Sequence, residues 1–284
     1  MIEDQPLGIC PATLVAEPLT ASAEDIRAAA VAAVDAGFTH ASVWLFHFDT
    51  LGGDGGRAAG YRAMEDLELR VSVVEAALQW ATGDLDTARN EAAQFADAVT
   101  ATGATRIGAV CLEPTLPDLN AARRNLAVMV DAAERVGASV SVEFLPWTGI
   151  PDLATAWALV EPLGPNATVL LDTWHWQRQP GGPALDVLAS VPGERIGYVQ
   201  LCDASATPEP DAYTECMNSR LLPGSGIVDF ASLFWQLDAI GAAPVVAAET
   251  FNTSLVTHAG PAAAARQMWE SCRDVLNGTP SPPR

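Results

Sequence analysis

A chain of 284 residues that is 49% hydrophobic has enough apolar material for one large α/β core, so disorder as the main state is excluded. The formal net charge of −20 makes the surface repel phosphodiester backbones, and the absence of lysine removes lysine Schiff-base, general-base and phosphate-clamping chemistry. Five scattered cysteines without a CxxC pair argue against a disulfide framework or a thiolate zinc site. No basic leader or long apolar run signals export or membrane insertion. The expectation is a cytoplasmic protein with a small-molecule substrate, no nucleic-acid or membrane partner, and a homo-oligomer left open.

In chain order, short apolar β-branched runs alternate with alanine-rich amphipathic segments about every thirty residues. The first candidate strand, residues 7–15 (LGICPATLV), precedes the helical pattern AEDIRAAAVAAVDAG, which stops at Gly37. The second, residues 40–48 (HASVWLFHF), runs into the glycine-rich DTLGGDGGRAAG, expected to be a loop that could act as a lid. Residues 71–80 lead to a helix from Leu85, and residues 106–113 to another from Leu119. Residues 139–147, 167–176 and 196–204 follow. A long segment, residues 204–227, then precedes a helix from Phe230 and the eighth strand, residues 244–251. Eight such units predict a single (β/α)8 barrel, the TIM-barrel architecture, over residues 1–276, with the proline-rich residues 277–284 as a frayed tail. An open doubly wound sheet would need a glycine-rich turn after the first strand, and CPATLVAEPL offers none.

Chemistry in such a barrel comes from the C-terminal ends of the strands. There the apolar runs are interrupted by Glu143 on the fifth, Asp172 with His175 on the sixth, Gln200 and Asp203 on the seventh, and Glu249 on the eighth. Taken singly, an acid at a strand end reads as a helix cap or a loop anchor. Three carboxylates and an amide converging from consecutive strands would repel one another in the interior, and a divalent cation removes the conflict. Glu143, Asp172, Gln200 and Glu249 are therefore the expected ligands. Their oxygens suit Mn2+ or Mg2+ first, with Co2+ or Zn2+ as alternatives, and His175 is either a ligand or a neighbour of one.

This arrangement of glutamate, Asp-x-x-His, glutamine and glutamate on the last four strands resembles the xylose-isomerase-like superfamily of sugar phosphate isomerases and epimerases. That group includes ketose 3-epimerases, hydroxypyruvate isomerase, inosose and dehydroshikimate dehydratases, and AP endonucleases. The resemblance covers essentially the whole chain, including RLLPGSG at residues 220–226. It implies that Glu143, Asp172, Gln200 and Glu249 are metal ligands, that His175 is the histidine beside the aspartate, and that Arg220 binds substrate oxygen. Glutamine on the seventh strand is the variant of hydroxypyruvate isomerase and dehydroshikimate dehydratase. Leu145 stands where the dehydratase type has a histidine, and Gly149 where the 3-epimerases have a second glutamate.

Trp44, His47, Trp80, Trp147, Trp174 and Trp176 all fall near strand ends, an aromatic mouth suited to stacking on a ring, or else a plug for the barrel top. His47, Trp44, Trp147 and Trp174 join Arg220 as expected substrate-binding residues. The leading expectation is a metal-dependent isomerase or epimerase acting on a hydroxy-carbonyl compound through an enediolate, with Glu143 and Glu249 as base and acid and His175 orienting or relaying. The alternatives are a dehydratase of a cyclic hydroxyketone, and a non-catalytic binding subunit that keeps the frame.

Overall fold

The structure, a computed structural model, describes residues 5–116 and 118–278. Residues 279–284, on which most of the expected tail falls, lie outside the described residues. The eight strands close into a parallel barrel in sequence order. They are β1 (Leu7–Ile9), β2 (His40–Trp44), β3 (Arg70–Ala77), β4 (Arg106–Val110), β5 (Ser139–Glu143), β6 (Ala167–Asp172), β7 (Ile196–Leu201) and β8 (Val245–Ala248). Each starts within a residue of its expected position, and each ends at least three residues early.

The helices around the barrel are α1 (Ala23–Ala36), α2 (Leu45–Gly52), α3 (Gly56–Glu65), α4 (Leu85–Thr102), α5 (Leu119–Arg135), α6 (Leu153–Val160), α7 (Thr173–Arg178), α8 (Leu185–Ser190), α9 (Ala212–Asn218), α10 (Phe230–Ala239) and α11 (Thr253–Asn277). Short polar side chains set their starts. Ser22 forms a reciprocal capping box with Asp25 on α1, and Asp84, Asp118, Asp152 and Asp229 accept backbone N–H groups at the starts of α4, α5, α6 and α10. Each cap is worth about 1 kcal/mol.

Two expected loops are more structured than their composition suggests. The glycine-rich stretch after β2 is the hairpin of α2 and α3, where Gly60 lies so close to Phe48 that a Cβ would fall 1.8 Å from its carbonyl oxygen. The long segment after β7 carries α9 and is tied down by Asp203. This buried carboxylate accepts the N–H groups of Ala204, Gly224, Gly226 and Val228 at 2.8, 3.0, 2.9 and 2.9 Å. Asp203 is a loop anchor, and the segment it holds delivers Arg220.

Strand alternation sorts the barrel interior into layers. The floor holds Arg106, whose Nη1 donates to Ser141 Oγ and Thr168 Oγ1, both at 3.2 Å. Above it Val73, Leu170, Tyr198 and Ala247 pack as an apolar layer. The next inward positions form the top, where the register pairs Trp44 with Glu75, Val110 with Glu143, and Asp172 with Gln200.

Candidate metal and substrate site at the barrel mouth

Four carboxylates occupy that top layer, one more than the sequence reading identified. Glu143 ends β5, Asp172 ends β6, Glu249 lies just past β8, and Glu75 is inside β3. Glu75 reaches the centre because its neighbour is Gly108, where a Cβ would lie 2.7 Å from Glu75 Cγ. An acid within the otherwise apolar run VSVVEAA was the available signal, and an argument confined to strand ends passes over it.

Asp172 does two jobs. Its Oδ1 caps α7 by accepting the N–H groups of Trp174 and His175 at 2.8 and 3.0 Å, and its Oδ2 accepts from Arg220 Nη1 at 2.6 Å. The same Arg220 nitrogen reaches Glu249 Oε2 at 3.2 Å, so one guanidinium links the two acids. Gln200 Nε2 donates to Glu249 Oε1 at 2.8 Å and to Glu75 Oε1 at 3.3 Å, while its Oε1 is buried without a partner. His175 Nε2 meets Glu143 Oε1 at 3.2 Å.

The electrostatics follow from burial and proximity. Burial, opposed by Arg220 and reinforced by Glu75, Asp172 and Glu143, pushes the Glu249 carboxyl well above the usual carboxylate range. Glu75 is raised in the same way, by burial first and then by Glu143. For Asp172 burial acts upward, but Arg220 and His175 outweigh it and hold the carboxyl below its ordinary value. Burial acts to lower the His175 pKa, yet Asp172, Cys216 and Glu143 beside it raise it to about 10.

Four carboxylates thus face two cations, Arg220 and His175, leaving two negative charges to be balanced. Two protons, on Glu75 and Glu249, or one divalent cation would balance them. The donors fall into two clusters that could each hold a cation, and neither of them joins Glu143 and Asp172 to Glu249. Ligand atoms of Glu143, Asp172 and His175 lie within 4.8 Å of one another, as do those of Cys10, Glu75 and Glu249. The unpartnered Gln200 oxygen is a buried neutral donor that a cation would satisfy, and a buried acceptor without a partner is costly.

The substrate-binding expectations divide. Trp44, Trp147 and Arg220 line a cavity of about 340 Å3 together with Glu75, Glu143, His175 and Glu249. His47 does not join them. The chain leaves β2 as α2 immediately after Trp44, which turns His47 inward, where Nε2 donates to the Pro18 carbonyl at 3.0 Å and the ring packs against Trp44 and Phe46. Trp174 is likewise fully buried, behind His175, with Nε1 donating to Glu215 at 3.2 Å. Both support the wall and do not line it. Trp80 and Trp176 pack in the main hydrophobic core. Glu215 also takes Arg178, so that arginine is not available at the mouth. All five cysteines are free and buried, and no described helix is long and apolar enough to cross a membrane.

Comparison with known proteins bears on the family and the fold. The L-ribulose 3-epimerase of Methylomonas sp. (strain DH-1) is 34% identical over 109 residues, 38% of this chain and 32% of that protein, so the match spans about a third of the relative's length. Among solved structures, the IolI protein with a bound zinc atom superposes with a TM-score of 0.80 at 18% identity, covering 97% of this chain and 99% of that one. The D-allulose 3-epimerase from Methylomonas sp. in complex with D-allulose superposes with a TM-score of 0.70 at 18% identity, covering 95% and 97%. The family model described as "Xylose isomerase-like TIM barrel" matches residues 26–274, and this chain belongs to that family.

Proposed function

We propose that the protein is a divalent-metal-dependent isomerase or epimerase that moves a proton beside the carbonyl of a hydroxy-carbonyl substrate. The observation that carries this reading is the gathering of four buried carboxyl groups, Glu75, Glu143, Asp172 and Glu249, around the barrel mouth beside the unpartnered oxygen of Gln200. Glu143, Asp172, Gln200 and Glu249 would hold the cation, Mn2+ or Mg2+ by the hardness of the donors, with Co2+ or Zn2+ as alternatives. When bound, it supplies the charge that polarises a carbonyl and acidifies the neighbouring C–H.

The remaining steps belong to the chain. Glu143 and Glu249 arrive from β5 and β8, so a substrate in the cavity has a carboxyl group from each strand. One takes the proton from carbon, leaving an enediolate, and the other returns a proton to the adjacent atom or to the opposite face. His175 donates to Glu143 and fixes its orientation, while Arg220 holds Glu249 and presents positive charge to the cavity wall.

One observation favours a second chemistry. His175 holds its proton up to about 10 and lines the cavity, so it could protonate a departing β-hydroxyl, which would make the protein a dehydratase. Leu145 lines the same cavity without a proton to give. Incubation of the Mn2+-loaded protein with ketoses and ring ketones in deuterated buffer separates the readings. Deuterium uptake at carbon without loss of water is expected, enone absorbance would select the dehydratase, and neither would leave a binding protein.

A further inference from the structure

The walls of the cavity differ from its floor. Five of the twelve large hydrophobic side chains exposed among the described residues, Leu19, Phe46, Leu78, Leu112 and Tyr213, line this one mouth at 41–59% exposure. They come from separate parts of the chain and surround the polar centre from several sides. They are also held in place: the N–H of Leu78 donates to the buried Glu91 carboxylate at 2.7 Å, and Phe46 packs against Trp44 and His47. An apolar rim exposed to water around a polar centre is the arrangement of a site for a ligand with a polar head and an apolar body.

Charge narrows the ligand further. Among the described residues lining the cavity the arginines are Arg57 and Arg220. Arg57 is bidentate on Asp49 at 2.8 and 2.7 Å, and Arg220 is committed to Asp172 and Glu249. Neither has a free fork for a phosphate.

We propose that the substrate is an uncharged cyclic hydroxyketone bearing an apolar, aryl-sized substituent that seats against the Phe46, Leu78, Leu112 and Tyr213 rim. This deepens the reading given under Proposed function and rests on it for the reacting end of the molecule. An unsubstituted free sugar would leave that rim wet, and a sugar phosphate would find no uncommitted guanidinium among the described lining residues.

The test uses a matched set: phenyl 3-keto-β-D-glucopyranoside, its methyl counterpart, and the 6-phosphate of the methyl compound. Binding to the Mn2+-loaded protein is read by calorimetry and turnover by deuterium wash-in. The phenyl compound is expected to bind about tenfold more tightly than the methyl one, the gain from burying part of one ring against the rim. Phe46→Ser and Leu112→Ser, both at exposed positions, should shrink that ratio at least threefold. Equal affinity for phenyl and methyl, tighter binding of the phosphate, no binding of any of the three, or a chain dimer that protects the rim from hydroxyl-radical footprinting would each overturn the proposal. If the phenyl preference and its loss in the variants hold while no compound exchanges deuterium, the ligand class stands and the isomerase chemistry falls.

Discussion

The two ends of the barrel treat buried charge in opposite ways. At the floor Arg106 is half-buried without a carboxylate, its guanidinium shared between Ser141 and Thr168, whose hydroxyls also bond each other at 2.8 Å. Desolvation lowers its pKa only to about 10, so it stays charged at neutral pH. At the mouth the polar groups do not balance, with four acids set against Arg220 and His175 and one amide oxygen unanswered. The same period-two alternation builds both layers. What distinguishes them is the kind of charge they hold: the floor keeps one guanidinium among neutral hydroxyls, and the mouth gathers acids around two cations.

The largest effect expected from breaking this contrast is on catalysis. Glu143→Gln and Glu249→Gln remove the groups that move the proton and should each lower deuterium exchange about 10²- to 10⁴-fold, with circular dichroism unchanged. Next comes the anchor beneath the arginine. Asp203→Ala strands the buried N–H groups of Ala204 and Val228 at roughly 1–3 kcal/mol each, frees those of Gly224 and Gly226, and releases the segment carrying Arg220. Denaturant unfolding should show a loss of several kcal/mol, and activity should fall with it. Metal comes third. Saturation to a hundred times the dissociation constant stabilises the native state by about 2.7 kcal/mol, so the melting temperature should rise several degrees with Mn2+ and fall again on chelation.

The floor and the supporting wall should respond least. Arg106→Met leaves Ser141 and Thr168 bonded to each other, so stability should shift by no more than about 1 kcal/mol and activity not at all. His47 is buried and its pKa is lowered from 6.5 chiefly by that burial. The folded state therefore binds its proton less readily than the unfolded chain. Its contribution to stability is present above pH 6.5 and is lost as the pH falls from there through the lower value of the folded state. His47→Gln should flatten the acid side of the stability curve and change kcat/KM by less than about threefold, because the side chain does not reach the cavity.

Barrel topology was legible because each strand begins where an apolar β-branched run begins. Strand ends were not, because apolar character continues past the point where the backbone turns. Residues 40–48 look uniform, yet the chain becomes helical at Leu45. Residues 167–176 look uniform, yet Asp172 caps α7 and stops β6. That turn also explains the misplaced residues, since His47 and Trp174 lie close in sequence to the strand ends but are swung behind the wall by a helical turn. The ligand candidates Glu143, Asp172, Gln200 and Glu249 were visible as polar residues among apolar ones. Glu75 was equally visible in VSVVEAA but sits inside β3 and not at its end, and only Gly108 across the sheet makes room for it. The role of Gly60 against Phe48 is likewise a tertiary contact that no periodicity announces.

The central claim is that the uncompensated charge at the mouth is a cation site, and metal uptake tests it most directly. The purified chain, stripped and then titrated with Mn2+ by calorimetry with metal analysis, should take up one equivalent per chain, with uptake weakened at least about tenfold in Gln200→Leu and Glu249→Gln and unaltered in Arg106→Met. No uptake by the wild-type chain, or uptake that Gln200→Leu and Glu249→Gln leave untouched, would contradict the account.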